Sequence, residues 1–259
     1  MLQFPSPQPL AATWWHPPLA ALLFLTRLPL PLPATLTITW TSAMMVWFPL
    51  VGAGIGLGGG VVFAIGLWLG LPCPLAATVT LAAMLLLTGG LHEDGLADLA
   101  DGLGGGGTRE RKLEIMRDSR IGSYGALALI IALLTRYQSL TALADPLRVT
   151  AVLVVSGAVS RAAMVVLAGW LPPARSDGLG RSHGQASGTV VLAAVAFASV
   201  IGEVILGSTM VVPALVCTLA VLILGLIARC HLGGQTGDVL GAGQQIGEVV
   251  FMLAAVAKI

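Results

Sequence analysis

The sequence predicts an all-α, polytopic integral membrane protein, a bundle of about six to eight transmembrane helices with a polar site on its cytoplasmic face. Three observations carry this. Hydrophobic residues make up 56% of the 259-residue chain and charged residues only 10%, which does not suit a soluble domain. Between Arg27 and His92 there is no Asp, Glu, Lys, Arg or His, a stretch that can hold two apolar helices of about 20 residues each. The charge is gathered elsewhere: residues 92–120 contain seven of the twelve acidic and five of the thirteen basic residues.

The whole chain reads as one membrane domain. Eight of the fifteen prolines fall within the first 33 residues, so 1–41 is an irregular, Pro-rich, partly interfacial segment with a half-helix over 18–28. It lacks the basic start of a secretory signal. Spans are expected at 42–69, 74–91, 121–143, 149–171, 189–206, 210–228 and, shorter, 246–257, with Pro146, Pro172, Pro173 and Pro213 in the breaks. In the first span Gly52, Gly56 and Gly60 make two GxxxG steps, which in lipid mark close helix packing. A phosphate-cradling glycine loop would need a strand before it, and none is expected here. Cys73, Cys217 and Cys230 are odd in number and carry no CxxC or His pairing, so they read as free buried thiols. A net charge of +1, with no basic patch interleaved with aromatics, argues against a nucleic-acid partner.

Parity then places the polar segments. Two spans separate Arg27 from 92–120, two more lead to 172–188 with Arg175, Asp177, Arg181 and His183, and another two to 229–248 with His231, Thr236, Asp238 and Glu248. If each span crosses once, all four emerge on one face, and the basic residues of 92–120 make that face cytoplasmic.

Within 92–120, Asp94, Asp98 and Asp101 fall at i, i+4 and i+7, one stripe of a helix. Asp94 and Asp101 are roughly 10 Å apart along the axis, too far to share one ion, while Asp98 lies between them. Two readings fit magnesium, which takes one or two carboxylates and fills its shell with phosphate oxygens and water. Either two ions bridge a diphosphate, or one ion sits beside a carboxylate that acts as base. Residues 102–107, Gly-Leu-Gly-Gly-Gly-Gly, are expected to end this helix and to move. Thr108 is expected to cap a second helix over 109–118. Of its cations, Arg111 and Lys112 read as positive-inside anchors, whereas the forks of Arg117 and Arg120 suit a diphosphate. Arg161 lies inside a span and calls for a lined cavity or a partner acid; Glu203, nearer a span end, either snorkels or pairs. His16, His183 and His231 read as hydrogen-bonded structural histidines, and His92 fits either a structural or a functional role. Residues 229–245, RCHLGGQTGDVLGAGQQ, read as a second polar loop whose glycines leave backbone N–H groups free for an anion or nucleobase.

Several of these blocks resemble the cobalamin synthase family, adenosylcobinamide-GDP ribazoletransferases. The likeness begins at Phe24-Leu25-Thr26-Arg27-Leu28-Pro29. It is strongest from Thr88 through Gly102 and continues through residues 113–122, Ser160-Arg161 and residues 233–242. The resemblance implies a magnesium-dependent transferase in the inner membrane that joins adenosylcobinamide-GDP to α-ribazole or its 5′-phosphate and releases GMP. It also implies association with other nucleotide-loop assembly enzymes. Carried onto this chain, Asp94, Asp98 and Asp101 would hold magnesium, with Asp101 favoured as base, and Arg117 and Arg120 would complete the catalytic set. Arg27, His92, Arg109, Asp118, Arg161, Gly234, Thr236 and Asp238 would contact substrate. Two other readings compete. A CDP-alcohol phosphotransferase would need an arginine where Ala97 is followed by Asp98, and a cation-coupled transporter would place its acids at the midplane and repeat them.

Overall fold

A computed structural model describes residues 15–30, 41–175 and 185–258. Asp177, Arg181 and His183 lie outside the described residues. The described chain is helical, apart from an isolated parallel bridge between Pro173 and Gln235. In order the helices are α1 (His16–Leu25), α2 (Phe48–Trp68, entered through a 3-10 turn at Ser42–Trp47), α3 (Cys73–Thr88), α4 (Leu91–Gly105) and α5 (Arg109–Ile115). There follow α6 (Ser123–Leu143), α7 (Pro146–Trp170), α8 (Gly188–Leu206), α9 (Val211–Leu232) and α10 (Gly237–Val256).

Five stretches are long and apolar enough to cross a membrane, or six if the bent pair α3–α4 is counted as one. One of the five, Gly188–Leu232, comprises both α8 and α9. Side chains of both line a cavity against Val159–Val166 of α7, so the chain reverses at Gly207–Met210 rather than running straight. The outer surface carries Leu57, Ile65, Leu86, Ile131, Leu192, Val204 and Leu219, exposed as lipid-facing residues should be.

At the centre is α7, buried along most of its length. The GxxxG steps do what their spacing predicts: a Cβ at Gly52 would run into the Gly157 carbonyl of α7, and one at Gly56 into the Leu153 carbonyl. Only glycine lets these two backbones meet. All three cysteines are free, as expected, although Cys230 is exposed rather than buried.

The last span departs from expectation. Residues 237–245 are the first turns of α10, so the polar loop expected over 229–245 shrinks to 233–236. The misleading glycines are packing sites: Gly241 faces His92 and Gly95 of α4, and Gly247 faces Cys217 and Ser160. In the first turn of α10 Thr236 takes the N–H groups of Val239 and Leu240, and from Gly241 onward the backbone is engaged in helix bonds.

Candidate active site

Gly89 and Gly90 both adopt left-handed backbone, at φ 68° and 66°, and turn α4 by 89° from α3. The Arg27 N–H donates to the Leu87 carbonyl at 2.7 Å, and its side chain lies over Gly89, so Arg27 fastens the bend. Beyond it α4 runs antiparallel to α6 instead of completing a span. Glu93 at its start pairs with Arg136 in mid-α6, and Asp101 near its end meets the first turn of α6. A Cβ at Gly95 would come within 3.1 Å of the Asp238 backbone, so this glycine sets how closely α4 crosses α10.

The three stripe aspartates prove unlike one another. Asp101 is 8% exposed, and its carboxylate accepts the N–H groups of Gly122 at 2.7 Å and Gly125 at 2.9 Å. It caps the positive end of α6, so both of its oxygens are already engaged. Asp94 instead lines a cavity of about 160 Å3 between α4, α10 and the start of α2, shared with Asp238, His92 and Gln235. Asp98 lies one turn from each. Burial, and then the charges of Asp94, Asp238 and Asp101, push its carboxyl up to about 7, with Arg175 opposing.

Asp238 stands in the first turn of α10, 3.9 Å from the Arg175 guanidinium. Thr236, expected to touch substrate, is the N-cap of α10: its hydroxyl accepts the Val239 N–H at 3.2 Å and donates to Asp238 at 3.1 Å. Gly234 is structural too, since a Cβ there would strike the Pro172 carbonyl where 172–174 bridges Gln235. Arg109 likewise ties loops together, donating to the carbonyls of Leu232 and Ala174, both at 2.7 Å. Arg175 completes the knot by donating to the Leu113 carbonyl at 2.9 Å. Residues near 89, 109, 173 and 235 are thus drawn together, the composite site that span parity predicted.

Further along α4, toward its C-terminal end, an open cleft of about 540 Å3 is lined by Asp101, Arg111, Arg117, Asp118, Arg120 and Tyr124, among others. Arg117 and Arg120 therefore do share a site. So does Arg111, expected only as an anchor; it pairs with Glu114 at 2.7 Å on the surface, a contact worth little. Arg120 hydrogen-bonds Asp118, which holds that carboxyl down at about 2. The second anchor, Lys112, is instead buried, with its ammonium on the Gly106 carbonyl. Thr108 caps α5 through the Arg111 N–H as expected, but α5 ends at Ile115. The glycine run ends the helix as expected, at Gly105, and it also packs, with Gly102 against Met116 and Gly104 against the Tyr124 ring.

Arg161 is not at either cavity wall. It is buried in an ion cluster with Glu248 at 3.9 Å, the partner acid anticipated for a cation within a span. Arg136 sits between Glu93 and Glu248, both at 2.9 Å, and Gln245 donates to Glu93 at 3.0 Å. Two arginines and two glutamates cancel, so the cluster closes on itself and anchors α4 to α6, α7 and α10. The histidine expectations fail where they can be seen. The buried His16 leaves Nε2 without a hydrogen-bond partner among the described residues and packs edge-on to Trp15, and His231 is exposed. Glu203 is exposed on α8, with no ion pair among the described residues.

Residues 17–256 match the family model described as cobalamin-5-phosphate synthase. The chain belongs to the cobalamin-5-phosphate synthase family. It is similar to the adenosylcobinamide-GDP ribazoletransferase of Bradyrhizobium diazoefficiens, at 48% identity over 92% of each chain. Similarity to the protein of the same name from Mesorhizobium japonicum is 44% over 90% of each chain. For that of Citrobacter koseri it is 41% over 91% of this chain and 97% of the relative. No solved structure matches.

Within this member of the cobalamin-5-phosphate synthase family, the chemistry of the stripe bears on magnesium. Asp94, Asp98 and Asp238 offer only oxygen donors and raise the protonation of the middle one, a strain that a hard divalent cation relieves. Among the described residues no three His, Cys, Asp or Glu side chains converge as a complete metal cage. The set fits an ion that shares its shell with substrate oxygens, as magnesium does. Sequence reasoning passed over Arg175 and Arg136. Arg136 could have been found by the rule applied to Arg161, since it too interrupts an apolar span.

Proposed function

We propose that this chain transfers the cobinamide phosphate of adenosylcobinamide-GDP to α-ribazole or its 5′-phosphate, the reaction named for its relatives. The supporting observation is the meeting of Asp94, Asp98, Asp238 and Arg175 beside α4, with an arginine-lined cleft further along the same helix. A ribazole ribose hydroxyl attacks the cobinamide-side phosphorus, the bond to the bridging diphosphate oxygen breaks, and GMP leaves. Asp98, half-buried and one helical turn from Asp94, takes the hydroxyl proton; this role passes to it from Asp101, whose oxygens already hold the N-terminus of α6. Arg175 lies against the carboxylate set and orients the phosphoryl group. Arg117 and Arg120, with Arg111, receive the guanosine diphosphate end, where planar forks suit phosphate oxygens. Asp94 and Asp238 would hold magnesium, which supplies Lewis-acid stabilisation of charge on the diphosphate.

The polar site faces the cytoplasm in this proposal, the side on which the basic residues of 92–120 belong. Protein reconstituted in liposomes with adenosylcobinamide-GDP, α-ribazole and magnesium should release GMP only when both substrates are present. Release without ribazole, or none at all, removes the assignment.

A further inference from the structure

The cavity that Asp94 and Asp238 edge is otherwise a greasy chamber. Its remaining walls are Phe24, Met44, Met45, Phe48, Met164 and Leu240, contributed by α1, the turn before α2, α2, α7 and α10. Met44, Met45, Phe48 and Met164 are buried. Nothing in the carboxylate chemistry explains five sulfur and aromatic side chains converging here from three parts of the chain. Methionine sulfur and phenyl rings are the adaptable partners that flat aromatic groups favour. The cavity volume, about 160 Å3, is that of a site able to enclose an aromatic ring system and far too small for a corrin macrocycle. Guanine, with five polar positions on its edge, would leave most of them unpaired against such walls.

Besides the two aspartates, Gln235 and His92 are polar members of the lining, and Gln235 is already bonded to the carbonyls of Ala168 and Leu171. His92 is 3% exposed, lines the cavity, and has an Nε2 without a hydrogen-bond partner among the described residues. A base that is apolar except for one ring nitrogen matches this wall, and the dimethylbenzimidazole of ribazole has that composition. Its attached ribose would then lie toward the aspartates at the rim.

We infer that the Phe24–Met44–Met45–Phe48–Met164–Leu240 cavity binds the benzimidazole base of the ribazole substrate, with His92 against its ring nitrogen, and so selects the acceptor nucleoside. This rests on the proposed reaction and names the subsite for one of its two substrates. The nucleotide-bearing corrinoid engages the arginine-lined cleft toward the C-terminal end of α4.

The test separates the subsite from the reaction. In wild-type protein the free base, 5,6-dimethylbenzimidazole, should inhibit GMP release competitively against ribazole and not against adenosylcobinamide-GDP. Filling the cavity with Met164→Trp should raise KM for ribazole about tenfold and leave KM for the corrinoid unchanged. The unchanged corrinoid KM shows that the filled protein is folded. If wild type releases no GMP, the reaction itself is misassigned. If wild type is active but the free base does not inhibit, or competes with the corrinoid, the subsite is wrong. A Met164→Trp protein with both KM values unchanged also overturns it and leaves the cavity to a lipid chain.

Discussion

Replacing Asp101 with asparagine should unfold the protein before it disables the chemistry. Two backbone N–H groups at the start of α6 donate to this carboxylate, at 2.7 and 2.9 Å. Asparagine keeps one acceptor oxygen and turns an NH2 toward the other donor. Losing one hydrogen bond to a charged group costs about 1.5–3 kcal/mol. Losing a negative charge at a helix N-terminus adds about 0.3–1 kcal/mol. The sum, about 2–4 kcal/mol, corresponds in a chain of this size to a fall in Tm of roughly 5–15 °C. Tryptophan fluorescence of detergent-solubilised protein during heating reads this directly, since the chain has six tryptophans. GMP release measured well below the lowered Tm should keep a substantial part of the wild-type rate. An unchanged Tm with abolished GMP release would refute the capping role and return Asp101 to the chemistry.

Three further outcomes are expected. Arg136→Ala leaves Glu93 and Glu248 buried without their shared cation, so stability should fall by about 3–5 kcal/mol in the same melting assay. Gly56→Val forces α2 away from the Leu153 carbonyl and should yield aggregated or strongly destabilised protein, whereas Gly54→Val, with open space around it, should melt like wild type. Arg175→Ala should cut GMP release about a hundredfold, because Asp98 and Asp238 lose their only close arginine among the described residues.

The helices were readable because lipid imposes a simple pattern. Apolar runs bounded by proline and charge gave spans close to α2, α3, α6, α7, α8 and α9, and GxxxG gave the α2–α7 contact. The start of α10 was not readable by that pattern, since Gly241, Gln244 and Gln245 resemble loop residues until a second helix and a buried ion cluster are there to receive them. In the site, the i, i+4, i+7 spacing placed Asp94, Asp98 and Asp101 on one helix but could not tell which faces a cavity and which caps α6. That depends on Gly122 and Gly125, brought alongside by the antiparallel course of α4 and α6. Arg109, Thr236 and Gly234 were found as positions, but the hydrogen bonds and close packing they make were not legible until the loops meet. The apolar cavity left no local signal, its walls being drawn from residues as far apart as Phe24 and Leu240.

The most direct measurement compares GMP release by wild type and Asp98→Asn in liposomes, alongside their melting curves. Asparagine removes a carboxylate that its acidic neighbours already strain, so Tm should hold or rise slightly while the rate falls by at least about a hundredfold. A wild-type rate from Asp98→Asn would contradict the placement of the chemistry on this face of α4.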